Sequence, residues 1–209
     1  MRGVKRMKNP KNNKKAIIRK IIYLILFSLM IFAFIYLSNR YSALSVRKDP
    51  TITDYYPTIK DTSKYDIMKA DATIKEIKDG TSLIMIGSHT SKWSNKYIEE
   101  IEAITKELKI TKIKYYDLNN DKNQRNSNYY EIKELLNGHL TTTDGSENNL
   151  LAPSFYIIVD GQVKYYNIDT VAMKNDITVE DYWTPDQEEQ FASEITAAIN
   201  KYYLNNQSQ

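Results

Sequence analysis

The chain has 209 residues, 26% of them charged and 42% hydrophobic, with a formal net charge of +3. This is an ordinary folded composition with room for one sizeable domain and some extra chain, which excludes two full cores and a wholly disordered chain. There is no cysteine, so the chain forms no internal disulfide, no thiolate metal site and no cysteine nucleophile.

The charge is unevenly distributed. Residues 1–40 carry ten Lys/Arg and no acid, which leaves 41–209 with nineteen basic and 26 acidic side chains. An acidic remainder argues against a nucleic-acid partner, because phosphate binding needs clustered Lys/Arg. The basic block reads instead as a topology signal. Ile21–Leu37 is a run of 17 residues broken only by Tyr23, Ser28 and Tyr36. At about 1.5 Å per residue it approaches the ~30 Å bilayer core, and Ser38 with the snorkelling flanks Lys20 and Arg40 brings it into range. Both tyrosines sit near the ends, where their rings suit the interface. Nine Lys/Arg precede the run. The positive-inside rule therefore makes 1–20 a basic cytoplasmic segment, 21–38 a single transmembrane anchor, and 41–209 extracytoplasmic. A cleaved signal peptide is the alternative, with Ala43-Leu44-Ser45 as a small-x-small site, although the apolar run is longer than the usual ~7–15 residues.

Tyr41–Lys64 holds Pro50, Pro57, several Thr and Asp, and no sustained periodicity, so 39–64 reads as a linker. Tyr65–Met68 suits a short edge strand. Asp71 is expected to cap a helix carrying Ile74 and Ile77 and ending at Asp79-Gly80. Ser82–Ile86 is a continuous apolar run, the profile of a buried central strand. A loop over 87–92 leads to a helix with Tyr97, Ile98, Ile101, Ile104 and Leu108 on one face. Ile110–Leu118 suits a strand, Asn119–Asn126 a polar loop, and Tyr130–Leu136 a short helix stopped at Asn137-Gly138. Leu140–Leu151 is polar and turn-rich. Ser154–Val159 and Gln162–Asn167 form a hairpin about Asp160-Gly161. Thr184-Pro185-Asp186-Gln187 announces a last helix burying Phe191, Ile195, Ala198, Ile199 and Tyr202. The order is β-α-β-α-β-α-β-β-α, for which a mixed sheet with helices on both faces is the natural architecture.

A buried strand, Gly87-Ser88-His89-Thr90, and then Ser91-Lys92-Trp93-Ser94 opening a helix resemble the redox-motif corner of the thioredoxin-like superfamily. Ala152-Pro153-Ser154, entering a strand before an Asp-Gly hairpin, resembles that family's cis-proline segment, which faces the motif. The resemblance covers about 65–204, leaving 205–209 as a tail, and is nearest to bacterial exported or bacteriocin-transport-accessory-like members. It implies an α/β thioredoxin-like fold, a central mixed sheet flanked by helices, behind the N-terminal transmembrane helix. It also implies a cis Ala152–Pro153 bond.

In that family two cysteines occupy the positions of Ser91 and Ser94. Exchange requires a thiolate, so the chain as written is not a thiol–disulfide oxidoreductase. Ser91 reads as a helix N-cap. As a hydrolytic nucleophile with His89 as base it lacks a marked acid partner. His89 and His139 are too few for a metal site, and no cofactor is implied. Trp93 reads either as a platform for a partner peptide or as packing against a neighbouring loop. The resemblance implies a peptide-binding groove at Trp93, Ala152 and Pro153 and a client that is an exported or membrane protein or peptide. Two functions follow: a redox-inactive binding accessory, or an oxidoreductase whose two cysteines have been replaced by serine.

Overall fold

The computed structural model describes residues 10–44, 49–124, 126–143, 147–168 and 177–207. Residues 1–9 of the basic segment, Ser45 of the small-x-small site, residues 45–48 of the linker and 208–209 of the tail lie outside the described residues. The chain divides into two units, 1–49 and 50–209.

The first unit contains helix α1 (Pro10–Leu44). Within it Ile17–Leu37 is long and apolar enough to cross a membrane, and none of these 21 residues is buried. At 1.5 Å per residue that stretch spans about 31 Å, one hydrocarbon core.

The second unit begins with α2 (Ile52–Tyr55) and continues with β1 (Tyr65–Met68), α3 (Ala70–Asp79), β2 (Ser82–Gly87), α4 (Lys92–Glu107) and β3 (Ile113–Asp117). Then come α5 (Leu118–Gln124), α6 (Ser127–Leu135), a small hairpin of β4 (Thr141–Thr143) and β5 (Glu147–Asn149), β6 (Ser154–Val159) and β7 (Gln162–Ile168). The chain closes with α7 (Val179–Tyr182), α8 (Pro185–Ile199), a π turn over Asn200–Leu204, and α9 (Asn205–Gln207).

Five strands form a mixed sheet in the order β1-β3-β2-β6-β7, with β1, β3 and β2 parallel and β6 and β7 antiparallel to their neighbours. Strand period two sends alternate side chains to opposite faces. Leu83, Met85, Ile113, Tyr115, Phe155 and Ile157 form one core with α4 and α8. Ile84, Ile86, Tyr116, Tyr156 and Ile158 form the other with α3 and α6. Every residue of β2 and β6 is buried, as the uninterrupted apolar runs require. The β6–β7 turn places Asp160 and Gly161 at φ 50° and 69°. A Cβ on Gly161 would stand 1.9 Å from the Lys78 carbonyl, and its N–H donates to the Gly80 carbonyl at 2.9 Å.

Several expectations need correction. Residues 50–64 are not linker: Ile52, Tyr56 and Ile59 are buried in the core, and the Lys64 ammonium pairs with Glu102 at 3.0 Å while only 5% exposed. Asp71 does not cap α3. Lys69 holds that position, and Thr73 donates both its N–H and its Oγ to the Lys69 carbonyl, leaving Asp71 in the first turn where its charge complements the dipole. Asn119–Asn126 is mostly helix α5, held by Asp121, which bonds the Tyr116 hydroxyl and accepts from Asn126 Nδ2. Helix α6 starts at Ser127, capped by Asn126, rather than at Tyr130. On the last helix Tyr203, not Tyr202, is buried, because the π turn inserts a residue and rotates the apolar stripe. The helix runs through the expected tail as far as Gln207.

Candidate functional site

The motif stands where a central strand hands over to a helix. Ser91 caps α4 with extended backbone, φ −97° and ψ 124°, and its Oγ accepts from the Ser94 N–H at 3.4 Å. Ser94 at the third helical position is fully buried, and its Oγ accepts from the Ser88 N–H at 3.1 Å. Ser91 N–H donates to the Ser88 carbonyl at 2.9 Å, tightening the loop. Ser91 Oγ thus satisfies a backbone donor that the helix start leaves open, and Ser94 Oγ satisfies one in the loop ahead of it.

The Pro153 segment reaches the same end of the sheet. Ile86 and Ser154 are the last paired residues of β2 and β6, so Gly87 and Pro153 stand one step beyond that pair. The Ala152–Pro153 bond is cis, Pro153 is buried and Ala152 half-buried, and Ser154 Oγ donates to the Leu151 carbonyl at 2.9 Å. Trp93 is half-buried with its ring 5.8 Å from that of Tyr182 on α7, so it carries a packing role on that side.

Four residues that the sequence reading left out converge beside the motif. Asp117, the last residue of β3 and only 8% exposed, bonds His89 Nδ1 through Oδ2. The Tyr55 ring stacks on the His89 ring at 4.9 Å and 16°. Behind them the hydroxyls of Tyr56 and Tyr115 are 2.7 Å apart. A Cβ at Gly87 would lie 2.7 Å from both of those hydroxyls. Burial pushes the Tyr56 and Tyr115 phenols well above their ordinary pKa. Tyr55 is raised by burial and then by the charges of Asp117 and Asp54.

Two signals for these residues are visible in retrospect. Asp117 ends a parallel strand, and the carboxyl ends of such strands collect functional groups in α/β sheets. Ile52, Tyr56 and Ile59 follow i, i+4, i+7, a helical period hidden by the Pro and Thr around them.

Asp117 supplies the carboxylate partner that His89 lacked on sequence alone. A nucleophilic triad still does not form, because among the described residues no hydrogen bond joins His89 to Ser91, whose Oγ faces the Ser94 amide. His139 packs edge-on against Tyr166 at 5.3 Å, and its carbonyl accepts from the Tyr156 hydroxyl at 3.5 Å. Among the described residues no group of three or more His, Asp or Glu is placed to hold a metal. Compared with known proteins, the chain matches no protein family, no curated protein and no solved structure.

Proposed function

We propose that the chain is a single-pass membrane protein with a cytoplasmic N-terminus, whose 50–209 unit is a thioredoxin-like, extracytoplasmic binding domain without redox activity. Its client is an exported or membrane protein or peptide, held in an accessory role. One observation carries the reading. The two hydroxyls at the motif positions are engaged as backbone acceptors, at the same end of adjacent strands as the Ala152-Pro153 segment. Such a corner lacks a thiolate and so has no exchange chemistry. It keeps the half-buried Ala152 at the head of β6, where an extended chain can be gripped by strand-type hydrogen bonds. The orientation rests on the nine Lys/Arg ahead of the apolar helix and their positive-inside bias.

The test is titration of the full chain, in detergent, with an unfolded model polypeptide. Binding is expected in the parent and at least tenfold weaker in Ala152→Lys and Trp93→Ala with the fold retained. No binding by the parent removes the accessory reading.

A second reading, an exchange enzyme with serine in place of both cysteines, is favoured by the location of Ser91 and Ser94. They occupy the N-cap and third positions of α4, where a helix N-terminus depresses a thiol pKa.

A further inference from the structure

Ile52, Tyr56 and Ile59 are each at most 2% exposed, so α2 and the turn after it form a strap packed on the sheet. Where the strap ends, the chain turns into the amino end of β1 and borders an open cavity of about 570 Å³. Residues 58–64 form one wall, the end of α4 with Lys109 a second, and Ile110 and Thr111 ahead of β3 a third. Strands β1, β3 and β2 are parallel, so this cavity stands at the opposite end of the sheet from the motif corner, which follows the carboxyl end of β2.

Lys60, Lys64, Lys106 and Lys109 line the cavity, and Asp61 and Glu102 are the acids among its described lining residues. Both acids are already committed. Glu102 pairs through Oε1 with the Lys64 ammonium at 3.0 Å and accepts through Oε2 from the Tyr65 hydroxyl at 2.8 Å. Asp61 Oδ1 accepts from the Ser63 N–H at 3.1 Å and from the Ser63 hydroxyl at 2.6 Å. Lys64 is 5% exposed, and its ammonium donates to Glu102 and, at 3.4 Å, to Thr105 Oγ1, which leaves one of its three N–H bonds unspent. Among the described residues no acceptor takes the ammonium groups of Lys60, Lys106 or Lys109. Residues 50–209 contain 17 basic and 25 acidic side chains, so a cavity with more lysines than acids runs against the charge of its own unit. Lys109 also sits at φ 55°, a backbone region that favours glycine. Strain of this kind gathers at functional sites.

We propose that this cavity binds a phosphate monoester carried on a small organic molecule. Lysine ammonium groups act as point charges, and several around one opening suit an anion with more than one charge. A lone carboxylate is matched best by the arginine fork, yet no arginine is among the described lining residues and residues 50–209 contain only one. The volume falls within the ~300–1,000 Å³ of small-molecule sites. Ile110 and the aliphatic lysine stems supply apolar wall for the organic part. Two sources carry this chemistry: the headgroup of phosphatidic acid and a soluble phosphate ester. The site does not depend on the function proposed above, and its residues lie outside the motif corner.

Titration of the full chain in an uncharged detergent with glycerol 3-phosphate and with dihexanoyl phosphatidic acid, followed by amide shifts, tests the site. Saturable shifts are expected at Lys64, Lys109, Ile110 and Thr111, while the β2 amides stay still. Lys106→Gln combined with Lys109→Gln should weaken binding roughly tenfold or more. Lys164→Gln combined with Lys201→Gln, which removes the same charge from exposed positions elsewhere, should leave binding unchanged. Tighter binding of the lipid assigns the source to the membrane, and equal or tighter binding of glycerol 3-phosphate assigns it to a soluble ester. Acetate or dihexanoyl phosphatidylcholine binding as tightly overturns the proposal, as does equal weakening in both double variants or no saturable shift with either phosphate.

Discussion

The hydroxyl of Tyr56 lies 2.7 Å from that of Tyr115, and the two rings meet edge-to-face at 5.6 Å and 84°. Neither phenol has water to turn to, so each makes the other burial-compatible. They also fill the space a side chain at Gly87 would need. The pair therefore joins the strap, the central strand and β3 at one point beside the motif.

Tyr56→Phe should cost about 1–2 kcal/mol, because it leaves the Tyr115 hydroxyl buried with its partner removed. The double variant with Tyr115→Phe should cost less than the sum of the two single variants, since both polar atoms leave together. Gly87→Ala should cost about 1–3 kcal/mol through overpacking. Adding Tyr56→Phe to it should recover part of that loss. Denaturant midpoints at constant slope measure all five variants, the Tyr115→Phe single included, and strict additivity of the two tyrosine variants would contradict the shared bond.

Alkaline unfolding should be cooperative with phenol ionisation. Burial raises Tyr56, Tyr65, Tyr115, Tyr116 and Tyr156, and the hydrogen bonds to Glu102 and Asp121 add to it at Tyr65 and Tyr116. An unfolded phenol ionises near pH ~10. Above that pH the folded chain binds more protons than the unfolded one. Stability is therefore full below about pH 10 and falls as pH rises further. Ionisation of these buried phenols should appear in phenolate absorbance as a late phase coinciding with loss of circular dichroism.

Lys109 sits at φ 55° just past α4, and the Ile110 N–H reaches back to the Thr105 carbonyl at 2.8 Å, a helix-ending turn that favours glycine. Lys109→Gly should stabilise the domain by about 0.5–1 kcal/mol by relieving left-handed strain. A loss of thermal midpoint instead would show that the lysine side chain outweighs its backbone cost.

Because the chain has no cysteine, single thiols can be placed without background. Ser193→Cys on the exposed side of α8 should react with a membrane-impermeant maleimide in intact cells, as expected of an extracytoplasmic domain. Labelling only after lysis would reverse the topology. Ser91→Cys with Ser94→Cys should confer measurable insulin reduction, whereas the parent should match the no-protein rate. A folded double variant without exchange would mean that the corner lacks the geometry for that chemistry.

What the sequence made legible was whatever one local pattern determines alone. The apolar run of β2, the Asp160-Gly161 hairpin and the Thr184-Pro185 helix start each carry their own signal, and the structure has them in place. The strap was missed because its three buried residues are separated by polar ones and a proline, and only the sheet beneath gives them a surface to cover. Helix α5 was missed because the groups that hold it, Asp121 with the Tyr116 hydroxyl and Asn126 Nδ2, are polar and stand five residues apart, a spacing that no apolar helical period marks. Ser91 was readable as a cap, but the Asp117 partner of His89 required knowing that β3 lies beside β2. Tyr202 was misjudged for Tyr203 because a π turn breaks the helical count without any proline or glycine to mark it.

The sheet order carries a consequence for the timing of assembly. Strand β2 occupies the centre, yet both of its neighbours, β3 and β6, come later in the chain. While the chain emerges, Ser82–Gly87 is an unpaired apolar strand with two open edges, and its second edge stays open until Ser154 has been made. Non-local pairing of this kind is slow and leaves sticky surface waiting. Closure also depends on the far end, because the Gly161 tip must dock on the Gly80 carbonyl. A chain truncated before β6 would therefore present its most aggregation-prone segment to its surroundings, and the latter half of the polypeptide acts as the chaperone of the first.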